Sequence, residues 1–501
     1  MIASDADTRT DPAVLPAFAV RGVATVAALL AVLLGVLSGR YGYHRDELYF
    51  VVAGQHPAWG YIDQPPLTPT LARLGTAVFG DTLVGLRVIP LLLAVTSVAV
   101  VALIARELGG DRRAQLLAAA CGATSSLMLA TGHMLSTSTV DMLVWLTVGW
   151  LVLRLLRTGD GRWYVAIGAA VGIGLQNKYL IAFLVVGLLA AVAAVGPRSA
   201  LRTPWLAAGI LVAAAIAAPH VWWQATHGWP QLAVAEGIEA RDGVENRALF
   251  LPLQLVFTSP VFLPIWLAGL VRLCRDERVR WARSFALAYP LLVVLVLALG
   301  GKGYYVVPLL MVPLAAGAEP TLRWAAASPA RGRLVAAAVL LSAVVNPIAT
   351  LPVLPPGAVS LVNGMNKEQG EQIGWPELVD TVAGVWRQIP ADERDRAVIV
   401  TGNYGEAGAI ARYGPAAGLP AAYSGHMSYA DWGPPPDDAD GPVVVVHYPG
   451  DPRLAHFTDC RVTARVDNGY DLDNDEQGTI IELCSGTDAA WSSIWGDVRH
   501  V

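Results

Sequence analysis

About eleven times in its first 354 residues the chain runs apolar long enough to cross a bilayer, which takes roughly 17–25 residues per helix. The runs fall near 18–38, 84–105, 114–131, 140–156, 163–176, 179–195, 204–223, 248–273, 284–300, 303–322 and 333–354. In lipid, every backbone N–H and C=O must be satisfied within the structure, so runs this apolar and this long read as helices. Charged residues make up 15% of the chain, against about a quarter in soluble domains. Beyond about residue 355 the composition becomes that of ordinary soluble protein. The expected architecture is mainly α: a tail over 1–17, a polytopic bundle of about 11 transmembrane helices over 18–354, and a small α/β domain over 355–501. The polar N-terminus lacks a cleavable signal pattern, so the first run reads as a retained anchor. A net charge of −5 gives no footprint for nucleic acid.

Basic residues assign sides to the loops. Arg106, Arg112 and Arg113 follow the second run, Arg154, Arg157 and Arg162 the fourth, and Arg198 and Arg202 the sixth. Arg272, Arg275, Arg278, Arg280 and Arg283 surround the eighth-to-ninth connection, and Arg323, Arg331 and Arg333 follow the tenth. Every even-numbered exit is basic and reads as cytoplasmic. The odd-numbered exits and the C-terminal region therefore face outward, and all the chemically unusual loops are among them. The expected location is the plasma membrane, multi-pass, with these loops outside.

The first outer loop, 39–83, is the densest in polar chemistry: His44, Asp46, Glu47, His56 and Asp63, then Pro65-Pro66. A carboxylate near the bilayer edge is partly desolvated, which raises its pKa and suits it to accept a proton. The stretch "PPLTPTLARLGTAVFG" repeats Leu67, Leu71, Leu74 and Val78 at helical spacing and reads as a helix along the membrane surface. It would hold the acidic cluster where a lipid-linked substrate presents its headgroup. Asp141 opens the fourth run after a hydroxyl-rich stretch, Ser136–Thr139; there a helix cap and a catalytic carboxylate are equally compatible with the sequence. Two of the three lysines, Lys178 and Lys302, sit at outer helix ends and suit either snorkelling to headgroups or binding a phosphate. Tyr304 and Tyr305 follow Lys302 in "GGKGYY", a site for interfacial aromatics or for phosphate contacts.

The C-terminal region reads as a strand, Gly-rich turn and helix in "RAVIVTGNYGEAGAIARYG", with strands to follow in "GPVVVVHYPG", "CRVTARV" and "GTIIELC". Gly402, Gly405 and Gly408 lack the spacing of a nucleotide loop. Tyr423, His426, Tyr429 and Trp432 are candidates either for stacking on a glycan or for an ordinary aromatic core. Cys121 and Cys274 fall in apolar segments and read as inert packing residues. Cys460 and Cys484 form a disulfide if that region is outside the cell, and no Cys/His cluster has zinc spacing.

The motifs "RDELYFVVAGQHPAWGYIDQPPLTPTLARL", "STVDMLVWL", "GLQNKYL" and "GGKGYYVVPLL" resemble those of integral-membrane glycosyltransferases that use polyprenyl-phosphate sugars. The resemblance is to the family 39 type, related to protein O-mannosyltransferases and lipid A aminoarabinose transferases, and covers about residues 20–350. It implies a GT-C fold and inverting transfer of one sugar from a polyprenyl monophosphate to a glycan, lipid or protein acceptor. It also implies Asp46 as general base, with Glu47 supporting it or sharing a divalent cation (Mg or Mn). Asp63 stands where relatives often have Glu, and Lys178 and Lys302 match positions associated with the lipid phosphate. His44, His56, Asp141, Tyr304 and Tyr305 complete the expected substrate-binding set. The competing reading is a transporter or flippase, which would place ionisable residues at mid-membrane on broken helices. Here the acids gather at one face and no repeat is visible.

Overall fold

The computed structural model describes residues 15–448 and 455–501; of the expected tail, residues 1–14 lie outside the described residues. The bundle opens with α1 (Val20–Leu37), followed by two short helices, α2 (Arg45–Gln55) and α3 (Leu67–Phe79), and then α4 (Leu83–Glu107). Next come α5 (Arg112–Ala123), α6 (Ser126–His133), α7 (Thr137–Thr158), α8 (Trp163–Leu175), α9 (Leu180–Val195) and α10 (Pro204–Thr226). The bundle closes with α11 (Pro230–Thr258), α12 (Leu263–Arg275), α13 (Ser284–Ala298), α14 (Val307–Ala326) and α15 (Pro329–Thr350). Among the described residues, six helices are long and apolar enough to span a membrane alone. Two bent pairs, α5–α6 at 62° and α11–α12 at 82°, raise the number to eight, and α8, α9 and α13 are shorter apolar helices. The runs near 114–131 and 248–273, which read as single spans, are therefore broken. Ser259 and Pro260 mark the second break, and Ser259 has a positive φ of 80°.

The central helices are α7 and α14, most of whose apolar windows are buried, whereas α10 and α15 are peripheral. Residues such as Leu211 on α10 and Leu340 on α15 are exposed, as lipid-facing side chains should be. Between helices, association in lipid depends on close packing of small residues. Gly269 of α12 meets the backbone of Pro313 on α14, and Gly317 meets that of Ile265, so a side chain at either glycine would collide with main chain. Cys121 is buried as expected, whereas Cys274 lies exposed on α12.

After α16 (Ser360–Asn363) and α17 (Trp375–Trp386), the C-terminal region forms a mixed sheet. Its first strand, β1 (Val398–Thr401), leads into α18 (Tyr404–Ala417); β2 (Tyr423–Ser424) and β3 (Val443–His447) follow. Then come β4 (Phe457–Thr458), β5 (Arg461–Arg465), β6 (Ile480–Cys484), β7 (Gly486–Thr487) and α19 (Trp491–Val498). The main sheet has the order β2-β1-β3-β6-β5, with β1 parallel to both neighbours and β6 antiparallel to both of its own. Period-two alternation serves two cores. Val398, Val400, Val443 and Val445 pack with Trp491 and Trp495 of α19. On the opposite face, Ile399, Val444, Val446 and Ile481 share a core with α17, α18 and the first loop, including Tyr43, Leu48, Tyr49 and Phe50. Cys460 and Cys484 are joined in a disulfide.

Candidate active site

The stretch His44–Leu48 folds as a helix start because its side chains cap it. His44 is the N-cap of α2: its Nδ1 accepts from the Asp46 N–H at 3.2 Å, while Glu47 Oε2 accepts from the His44 N–H at 3.0 Å. This reciprocal arrangement satisfies two otherwise unpaired donors. It also fixes the His44 tautomer, so that Nε2–H donates to Glu368 Oε2 at 2.7 Å. Burial opposes charge on Glu368, yet the His44 hydrogen bond and the nearby Arg45 and Lys302 cations hold its carboxyl at about 2.

Asp46 and Glu47 have separate surroundings. Glu47 is completely buried and paired with Arg87 of α4, which donates from Nε at 3.1 Å to Oε1 and from Nη2 at 2.7 Å to Oε2. The Leu135 N–H adds a second donor to Oε1, at 3.1 Å. Arg87 in turn donates to the carbonyls of Ser38 and Gly42 and to Gln372 Oε1, and lies 3.0 Å from His133 Nε2. Both oxygens of Glu47 are thus occupied in fixing α1, α2, α4 and the α6–α7 junction. The residues do not fit a cation site shared by Asp46 and Glu47. Among the described residues, the one group of three donors spaced for a single ion is Cys460, Glu482 and Cys484, and its two sulfurs are in the disulfide.

Asp46, one residue earlier, faces the opposite way and keeps 36% of its side chain accessible. Its Oδ1 accepts from the Tyr404 hydroxyl at 2.8 Å, and Oδ2 has no hydrogen-bond partner among the described residues. Asp63 repeats the motif: its Oδ1 accepts from the Tyr49 hydroxyl at 2.6 Å, and the Tyr49 and Tyr404 rings stack at 4.7 Å. Desolvation pushes the Asp63 carboxyl up to about 7, with the Tyr49 bond acting against the rise and the charge of Asp46 adding to it. An infrared titration should therefore show a protonated-carboxyl band lost around neutral pH, absent in Asp63→Asn and moved upward in Tyr49→Phe. Because the folded value exceeds the ordinary 3.8, Asp63 costs stability increasingly as pH rises from about 4 to about 7, and by a constant amount above.

The lysines complete the arrangement. Lys178 Nζ lies over the rings of Tyr305 (4.6 Å) and Tyr304 (5.5 Å), the geometry of a cation–π pair. It is close enough to Asp141 and Asp46 to interact with both charges, as Lys302 is with Glu368. Asp141 is not the cap of its helix. Ser136 is, with Thr139, so the hydroxyl run is cap chemistry. Asp141 lies one turn further in, buried, and accepts from Asn177 Nδ2 at 3.1 Å. Asn177 Oδ1 accepts from Thr68 at 2.7 Å, tying α3 to the α8–α9 loop.

The first loop, the fourth run and the loops bearing Lys178 and Lys302 thus converge at one end of the bundle. Asp63, Lys178, Lys302, Tyr304 and Tyr305 are all half-buried there. His56 stands apart, exposed and stacked on Trp432 at 4.4 Å. Tyr429 is buried near Tyr49 and Trp432, which makes it a core aromatic. Sequence reading missed Arg87, Glu368 and Tyr404. Only Arg87 had a local signal, as a lone cation inside an apolar run.

This fold has known counterparts. The family model described as dolichyl-phosphate-mannose-protein mannosyltransferase matches residues 63–223. The crystal structure of ArnT from Cupriavidus metallidurans bound to undecaprenyl phosphate superposes with a TM-score of 0.56 at 16% identity, covering 92% of this chain and 97% of that one. Its apo form gives 0.54 at 16% identity, covering 93% and 98%. The arabinofuranosyltransferase AftD from Mycobacteria gives 0.50 at 16% identity, covering 94% of this chain and 42% of that one. No curated protein sequence matches. The architecture is the GT-C fold of multi-pass membrane glycosyltransferases. The matched family model lies in the stretch that holds Asp63, Asp141 and Lys178, and the motifs there resemble those of the family 39 type.

Proposed function

We propose that the protein transfers a single sugar, with inversion, from a polyprenyl-monophosphate donor to a hydroxyl on a cell-envelope glycan, lipid or protein. The observation that carries this reading is the open oxygen of Asp46 at the same end of the bundle as Lys178, which lies over Tyr304 and Tyr305 and within electrostatic range of Asp46, with Lys302 beside the same two tyrosines. In the proposed step the acceptor hydroxyl gives its proton to Asp46 as its oxygen bonds to the anomeric carbon. The bond from that carbon to the phosphate oxygen breaks, and the polyprenyl phosphate leaves. Lys178 and Lys302 stabilise the charge that develops on the leaving phosphate. Asp141 and Glu368 lie within electrostatic range of Lys178 and Lys302 and favour their charged forms. Asp63 supports the acceptor side. ArnT, which shares the fold, was solved bound to undecaprenyl phosphate, which fits a lipid-phosphate donor here.

We place this site on the outer face of the plasma membrane. Residues 18–354 then form the membrane module and 355–501 an extracytoplasmic region. Two observations support this orientation. The Arg-rich loops are those at even-numbered exits, as the positive-inside rule requires of cytoplasmic loops. The Cys460–Cys484 disulfide lies in the same region as the site, and disulfides persist in oxidising compartments.

The test is transfer by purified protein in lipid, using radiolabelled polyprenyl-phosphate sugars and cell-envelope acceptors. Transfer is expected from one donor class, with Lys178→Met slowing it by about 10²-fold and Lys178→Arg retaining most of it. Absence of transfer from every donor by well-folded protein would refute the reading.

A further inference from the structure

The glycines of "TGNYGEAG" are unsuited to a nucleotide loop, and the structure gives them another use. Asn403 and Glu406 form a reciprocal cap that starts α18 sharply after β1, so Tyr404 is its first residue. α18 then packs directly on α2. A Cβ at Gly405 would stand 3.0 Å from the Arg45 Cβ, and one at Gly408 would stand 2.8 Å from the Leu48 Cβ. Bare backbone at two positions one helical turn apart lets the helices approach this closely. The approach places the Tyr404 hydroxyl 2.8 Å from Asp46 Oδ1. The ring is clamped between Tyr49, stacked at 4.7 Å, and His426, stacked at 4.8 Å with an interplanar angle of 7°. The same seam is closed by an ion pair between Arg45 and Asp475, another residue of the C-terminal region.

We infer that the C-terminal region completes the active site, with Tyr404 as a positioning residue that acts through Asp46. A carboxylate on a short side chain can turn about its last bond. One oxygen held by a fixed phenol leaves the other aimed at a single point, which is what a general base needs. Tyr404 touches neither donor nor acceptor in this role. The inference rests on Asp46 being the base.

The experiment compares Tyr404→Phe, Asp46→Asn and the unaltered full chain, reading kcat and the donor KM separately. Tyr404→Phe keeps the ring stack and removes only the hydroxyl. It is expected to lower kcat about ten- to a hundredfold with donor KM and melting temperature unchanged. Full-length protein carrying 3-fluorotyrosine at 404 supplies a second readout, because its fluorine resonance should shift when Asp46 becomes Asn, and by more than when Asp63 does. Wild-type kcat in Tyr404→Phe, or a resonance indifferent to Asp46, overturns the inference even if Asp46→Asn is inactive. Wild-type kcat in Asp46→Asn overturns the underlying assignment of the base instead.

Discussion

Asp46→Asn is expected to lower sugar transfer by about 10²–10⁴-fold, the usual contribution of a positioned general base, while donor binding is preserved. The substitution is conservative in shape, and the amide oxygen can still accept from the Tyr404 hydroxyl that Oδ1 now meets at 2.8 Å. What disappears is the capacity of the open oxygen to take a proton. Retained binding of radiolabelled polyprenyl phosphate, measured on the same preparation, separates lost chemistry from lost structure. If Asn at 46 transfers at the normal rate, the base must be sought at Asp63, whose carboxyl sits at about 7 and so can accept a proton near neutrality.

The neighbouring substitution should fail in a different way. Glu47→Ala strands the buried Arg87 guanidinium, and breaking a buried ion pair from one side costs about 3–5 kcal/mol. It also leaves the Leu135 and His44 amides without their acceptor. The expected result is a large fall in melting temperature in detergent, or failure to recover folded protein. Removing Arg87 as well takes away the stranded charge, so the double variant should be destabilised by clearly less than the sum of the two single changes. A Glu47→Ala protein of normal stability and low activity would instead make Glu47 a chemical participant. Adjacent carboxylates, one read by kinetics and the other by stability, thus give opposite signatures.

How far the sequence was legible follows from the range of the interactions. Each apolar run coincides with a helix or bent helix pair, because periodicity and length are local properties. The two sharp bends were not legible, since a bend depends on what the helix packs against. Asp46, Asp63, Asp141, Lys178 and Lys302 stood out because charge is scarce in such a chain and loop sides can be read from arginines. Tyr404 and Glu368 were invisible as site residues because their partners lie 358 and 324 positions away. Nothing local distinguishes a tyrosine after Asn403 from any other. The pairing of Glu47 was hidden for the same reason: its partner Arg87 lies 40 positions away, and a single Arg within "VGLRVIPLLL" was its one local sign.

The shared core of the first loop and the C-terminal sheet has a consequence for the order of events during synthesis. Asp46 leaves the ribosome early, whereas Tyr404 and Asp475 come hundreds of residues later, the latter 430 positions after Arg45. Until they arrive, Leu48, Tyr49 and Phe50 of α2 have only part of their core, that from the first loop, α3 and α4, and lack the part from α17, α18 and the sheet. The helices of the bundle are therefore made first, and the Asp46–Tyr404 contact can form only near the end of synthesis. The last part of the chain to be made is thus the part that closes the seam over α2.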